Sequence, residues 1–97
     1  MIDKKTRIKL RSLAMTIKPT VWVGKDGFSE KVLSQINEEL FNHELVKIDI
    51  LENSTIPTEF ELTEIAVKLG AEVVTTIGRK VVLYKHSEKK KIKHILA

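Results

Sequence analysis

At 97 residues the chain has room for one hydrophobic core, and its 42% hydrophobic and 31% charged residues set it apart from the composition of disordered segments. The absence of cysteine excludes disulfides, thiolate metal sites and cysteine nucleophiles, and no apolar run approaches the roughly 20 residues of a membrane span or the apolar core of a secretory signal, so a soluble cytoplasmic protein is expected. The formal net charge of +4 is polarised: residues 1–19 and 85–97 carry 11 of the 17 Lys and Arg against Asp3 and Glu88, giving +9, while residues 20–84 come to −5.

In chain order, Leu10, Leu13, Ala14 and Ile17 recur at helical spacing and predict an amphipathic helix over about residues 3–17, with Asp3 as its N-cap. Lys18-Pro19 ends it, because proline disfavours the helical region for the residue before it. Residues 20–23 are β-branched or aromatic and read as a short buried strand. Gly24-Lys25-Asp26-Gly27 forms a loop, after which Ser29 caps a second helix to about His43 with the core stripe Val32, Leu33, Ile36 and Leu40. The alternation of Val46, Ile48 and Ile50 with Lys47 and Asp49 predicts a strand over residues 45–51.

A loop to Pro57 then leads to a capping box, Thr58 with Glu61, and a third helix with the stripe Leu62, Ile65, Ala66 and Leu69, stopped by Gly70. Residues 73–77 and 81–85 read as two strands around Gly78-Arg79-Lys80, a spacing that suits a tight hairpin with a bulge. The order αβαβαββ implies an α/β fold in which three helices pack on a four-stranded mixed sheet. Residues 1–85 are expected to form the domain and residues 86–97 a basic tail that either closes in a short helix or stays without order.

The G-x-x-G run lies directly between a strand and a helix. Two glycines permit a tight turn and close backbone approach, and a helix start supplies unpaired N–H groups, which together can seat a phosphate. Two glycines three apart serve a turn alone more often, and Asp26 would repel a phosphate unless it points away. The neighbouring cations raise the odds of binding. Lys4, Arg7, Arg11 and Lys18 fall along one side of the first helix, and Arg79, Lys80 and Lys85 follow at the hairpin tip and the end of the last strand. The bland alternative for each is a solvated lysine or arginine.

Trp22 and Tyr84 read first as core residues, although an aromatic face is also a platform for an unstacked base. Phe28 reads as a staple beside the second helix. His43, His86 and His94 lie far apart and match no metal-ligand or triad spacing, and Glu38 and Glu39 sit on a polar helix face, so neither an enzyme nor a cofactor is expected. Nucleic-acid compaction through charge on duplex DNA remains a rival, as does a protein-interaction module built on the acidic face of the second helix.

A basic helix ending in Lys18-Pro19, then V-W-V-G-K-D-G-F-S at residues 21–29 and L-G-A-E-V-V-T-T-I-G-R-K-V-V-L-Y-K at residues 69–85, resemble the CRM domain, the chloroplast RNA splicing and ribosome maturation module. The resemblance covers about residues 4–85 and is to the standalone, YhbY-like type. It implies a fold similar to the C-terminal domain of translation initiation factor 3. It also implies RNA bound through the loop Gly24, Lys25, Asp26 and Gly27 and the basic residues nearby, and a role on ribosomal RNA or a large-subunit precursor; ribosomal proteins are partners that the acidic outer face of the second helix could dock. Asp26 stands where the family more often has Asn, and Lys85 where Arg is usual, which replaces a planar fork by a point charge.

Overall fold

A computed structural model describes residues 2–89 and 94–95. Its elements are α1 (Lys4–Ala14), β1 (Val21–Val23), α2 (Glu30–His43), β2 (Leu45–Ile50), α3 (Glu59–Leu69), β3 (Glu72–Ile77) and β4 (Lys80–Tyr84). The four strands make one mixed sheet in the order β1-β2-β4-β3, as expected for an α/β chain of this pattern. β1 and β2 are parallel, and both β2–β4 and β4–β3 are antiparallel. The second strand of the hairpin therefore slots between β2 and β3. Hydrophobicity explains the choice: Val81, Val82, Leu83 and Tyr84 of β4 are all buried, as a central strand covered on both faces requires, whereas β3 ends in the exposed pair Thr76 and Ile77 and suits an edge.

The period of two along β2 divides the core. Val46, Ile48 and Ile50 face α2 and α3, joining Val21, Val23, Ile36, Leu40, Leu62, Leu69, Val81 and Leu83. Leu45 faces the other way, with Leu10, Ala14, Val74, Val82 and Tyr84 under α1. Each fully buried Leu or Ile in these layers contributes about 1.5–3 kcal/mol over its exposed state. Phe28 packs against the larger layer, so its expected role as an anchor beside α2 holds.

Local signals fixed most helix ends. The Asp3 side chain accepts from Thr6 N–H at 2.7 Å, and Ser29 accepts from Val32 N–H at 3.3 Å. Thr58 and Glu61 form both halves of the capping box, at 2.9 and 3.1 Å. α1 ends at Ala14, three residues short of its predicted end. From Thr16 onward the N–H groups bond to the carbonyls of Leu13 and Ala14, a tighter turn, and Lys47 Nζ sits 3.2 Å from Ala14 O and 3.4 Å from Ile17 O. The helix thus closes on a cation supplied by β2.

The hairpin is tighter than its spacing suggested. Ile77 pairs with Lys80, leaving the two-residue loop Gly78-Arg79, and φ is positive, at 57°, only at Gly78, the requirement of a II′-type turn. The bulge lies instead inside β3, where the register shifts between Val73 and Thr75. Of the basic tail, residues 86–89 and 94–95 are described, while Lys90, Lys91 and Lys93 and any helix over them lie outside the described residues.

Candidate nucleic-acid interface

Parallel pairing of β1 with β2 and the return of the β3–β4 hairpin bring three connections to one end of the sheet: residues 24–29, residues 51–58 and the tip Gly78-Arg79. In the first, Gly27 N–H donates to Gly24 O at 2.9 Å and Ser29 N–H to Gly27 O at 2.9 Å. This turn holds Gly27 at φ 64°, a region that L side chains enter only with strain. Lys25 and Asp26 stand exposed at its tip. Leu51 N–H donates to Val23 O at 2.9 Å, which sets the second connection beside the first; Ser54, Thr55 and Pro57 share a hollow with Lys25, Asp26 and Gly27.

Arg79 organises this end. Its Nε donates to Ile50 O at 2.9 Å, and its Nη2 donates to Leu51 O at 2.6 Å and to Ser54 O, while its own carbonyl accepts from Ile50 N–H at 2.8 Å. A planar fork aimed at three carbonyls pins the 51–58 connection to the hairpin. The residue expected as an RNA contact thus has a structural task as well.

Arg7 is similarly engaged. Its Nη1 donates to Val73 O and, at 3.0 Å, to Val74 O, at the point where the register of β3 shifts. The expected row of four cations on one helix side is therefore not continuous: Lys4 and Arg11 are exposed, Arg7 folds onto the sheet edge between them, and Lys18 lies beyond the helix end. Lys18 borders a hollow with Glu39 and His43. Arg11 shares a surface with Lys80 and Ile77, and Lys80 Nζ pairs with Asp49 at 3.8 Å. Lys85 follows β4 at the end opposite the Gly24–Gly27 turn, its Nζ near Gly70. The loop end thus gathers Gly24, Lys25, Asp26, Gly27 and Arg79, with Arg11 and Lys80 on the α1 face of the sheet.

Two features escaped sequence reasoning. Trp22, expected in the core, is 53% exposed, because the burial of Val21 and Val23 against α2 turns the residue between them to the other face. The second is Glu44, which ends α2 at φ 66° and is fully buried. Its carboxylate accepts from Ser87 N–H at 2.6 Å and Ile95 N–H at 3.0 Å, with His94 Nδ1 at 2.6 Å and His86 Nδ1 at 3.4 Å. The two histidines, distant from Glu44 in sequence, stack at 4.5 Å with their planes 13° apart.

Burial opposes the charge on Glu44, but the hydrogen bonds from Ser87, His94 and Ile95 outweigh it, and the carboxyl is held below its ordinary range. The same charge, added to burial, pushes the Tyr84 phenol up. Glu44, His86 and His94 bring donor atoms within 4.8 Å of one another. Both Nδ1 atoms turn to the same carboxylate oxygen of Glu44, His94 as the close partner and His86 as the outer one. The cluster is built to fasten the segment after β4 onto the end of α2.

No helix among the described residues is long and apolar enough to cross a membrane. The family model for the CRS1/YhbY (CRM) domain matches residues 2–85. The chain is 36% identical to a Bacillus subtilis protein, YqeI, named as a probable RNA-binding protein, over 94% of this chain and 95% of that one. It is 33% identical to an RNA-binding protein of Haemophilus influenzae, over 94% and 92%. Among solved structures it resembles a Staphylococcus aureus protein described as a candidate RNA binder, with a TM-score of 0.69 and 35% identity over 94% of this chain and 95% of that one. With the family model matching residues 2–85 and relatives 33–36% identical over nearly the whole chain, this chain belongs to the CRS1/YhbY (CRM) domain family.

Proposed function

We propose that this protein is a non-catalytic RNA-binding protein acting on ribosomal RNA or a large-subunit precursor during ribosome assembly in the cytoplasm. The observation that carries RNA binding is the loop end of the sheet, where an exposed Lys25 tips a glycine turn that leaves its backbone accessible, in a chain whose relatives are named as RNA-binding proteins. The ribosomal target rests on the family resemblance. Within this reading Lys25, Arg11 and Lys80 meet phosphates near the loop. Lys4, Lys18 and Lys85 act as outlying charges, and Arg7 and Arg79 position backbone.

Titration of a fluorescently labelled ribosomal RNA fragment at several salt concentrations tests it. Affinity should fall as salt rises, with a slope of roughly −0.7 per phosphate contacted on single strands. Lys25→Glu and Arg11→Glu should each weaken binding and leave the thermal midpoint unchanged. Salt-independent binding would count against the reading, and equal affinity for duplex DNA at one salt concentration would favour charge-driven compaction.

A further inference from the structure

On its α1 face the sheet is covered only as far as the row Lys47, Val82 and Thr75, where Lys47 ties down the turn that follows α1. The next row toward the loop end takes one residue from each strand: Trp22, Asp49, Lys80 and Ile77. Because α1 stops at Ala14, this row stays open, with Trp22 53% and Ile77 60% exposed and Met15 beside Ile77 at the helix end. An indole and two aliphatic side chains face solvent there, bordered by the cations Arg11 and Lys80.

We propose that this row is a stacking site for an unpaired RNA base, with Trp22 as the platform and Lys80 and Arg11 meeting the adjoining phosphates. The proposal rests on the RNA-binding reading above and adds the state of the RNA, which must offer an unstacked base. Two observations select a nucleotide over a protein partner. The Asp49–Lys80 pair interrupts the apolar surface between Trp22 and Ile77, and the core of a protein–protein interface is depleted in such charges. A single aromatic face flanked by cations is instead what base stacking and phosphate attraction require. Charge agrees, since the row and its border hold two cations, Lys80 and Arg11, against the one carboxylate of Asp49.

Position links the site to the loop. Trp22 is the middle residue of β1 and Gly24 directly follows that strand, so at most about 7 Å separates their Cα atoms at the rise of a β-strand. One nucleotide can place its base on the indole and its phosphate near the turn.

Trp22 is the chain's single tryptophan, so its fluorescence reports the site directly. The full chain is titrated with a labelled single-stranded oligoadenylate and with a perfectly paired RNA duplex of the same length at one low salt concentration. The single strand should quench Trp22, and the duplex should bind without quenching. Trp22→Ala should weaken binding of the single strand on the order of 10-fold or more and leave the duplex unaffected, while Trp22→Phe keeps most of the affinity. Circular dichroism of both variants should match the parent, since the indole is half in solvent. Salt-dependent binding of both RNAs with no quenching and no loss in Trp22→Ala would overturn the stacking site while leaving RNA binding intact. Failure of both RNAs to bind at any salt would overturn both readings. Self-association abolished by Trp22→Ala, with RNA affinity unchanged, would assign the face to a second copy and overturn the proposal.

Discussion

His94 Nδ1 lies 2.6 Å from Oε2 of Glu44, although the two residues are 50 positions apart in the chain. An ionised carboxylate only accepts, so Nδ1 carries a proton whatever the charge on the ring. Together with the N–H groups of Ser87 and Ile95, this contact closes the end of α2 with residues that follow the last strand. The fastening depends on a fully buried negative charge.

That charge makes a pH prediction. The folded Glu44 carboxyl is held below its ordinary value, so its contribution to stability is fully present above the unfolded value and is lost as pH falls through the folded one. Glu44→Gln places an amide N–H₂ where donors already converge, and should cost about 1–3 kcal/mol at neutral pH. In urea melts, the gap between parent and variant should shrink as pH is lowered from 6 into the range below ordinary carboxylates. A gap that stays constant to pH 3 would show that the charge is not what holds the segment.

Two arginines four positions apart on α1 should separate in their effects. Arg7→Met strands the carbonyls of Val73 and Val74 at the bulge and should destabilise the fold by about 1–3 kcal/mol. Arg11→Met, on an exposed side chain, should shift stability by less than about 0.5 kcal/mol while lowering RNA affinity. Paired denaturation and binding measurements on the two variants check this, and the reverse ranking of stabilities would refute the assignment.

Arg79→Lys should show that the fork, not the charge, holds the loop end. An ammonium cannot reproduce the planar spread of Nε and Nη2 across Ile50, Leu51 and Ser54. Amide hydrogen exchange over residues 51–57 should accelerate in the variant, with β4 amides unchanged. Uniform acceleration across the sheet would mean that Arg79 supports global stability instead.

The glycines of the turn should differ as well. Gly27→Ala meets no atom within 4 Å, so its cost is the strain of φ 64°, about 1–2 kcal/mol. At Gly24 an added Cβ would meet only Asn53 Oδ1 at 3.8 Å, and Gly24→Ala should be nearly neutral for stability. A loss of RNA affinity in Gly24→Ala without loss of stability would mark close backbone approach at that position, and thermal melts with parallel titrations measure both.

The sequence by itself determined the elements, because caps and periodicity act over a few residues: Asp3, Ser29 and the Thr58–Glu61 box place the helix starts, and the alternation in β2 assigns its two faces. It also placed the G-x-x-G turn between strand and helix, from which the loop end of the sheet follows once β1 and β2 are parallel. What only the tertiary structure decided depends on partners distant in the chain. Lys47 on β2 ends α1, Arg7 is claimed by carbonyls of the β3 bulge, and Glu44 gains donors from beyond β4. Trp22 is the sharpest case. Its strand is apolar throughout, so local pattern gives no reason to prefer either face, and its exposure arises because α1 stops one row short of it.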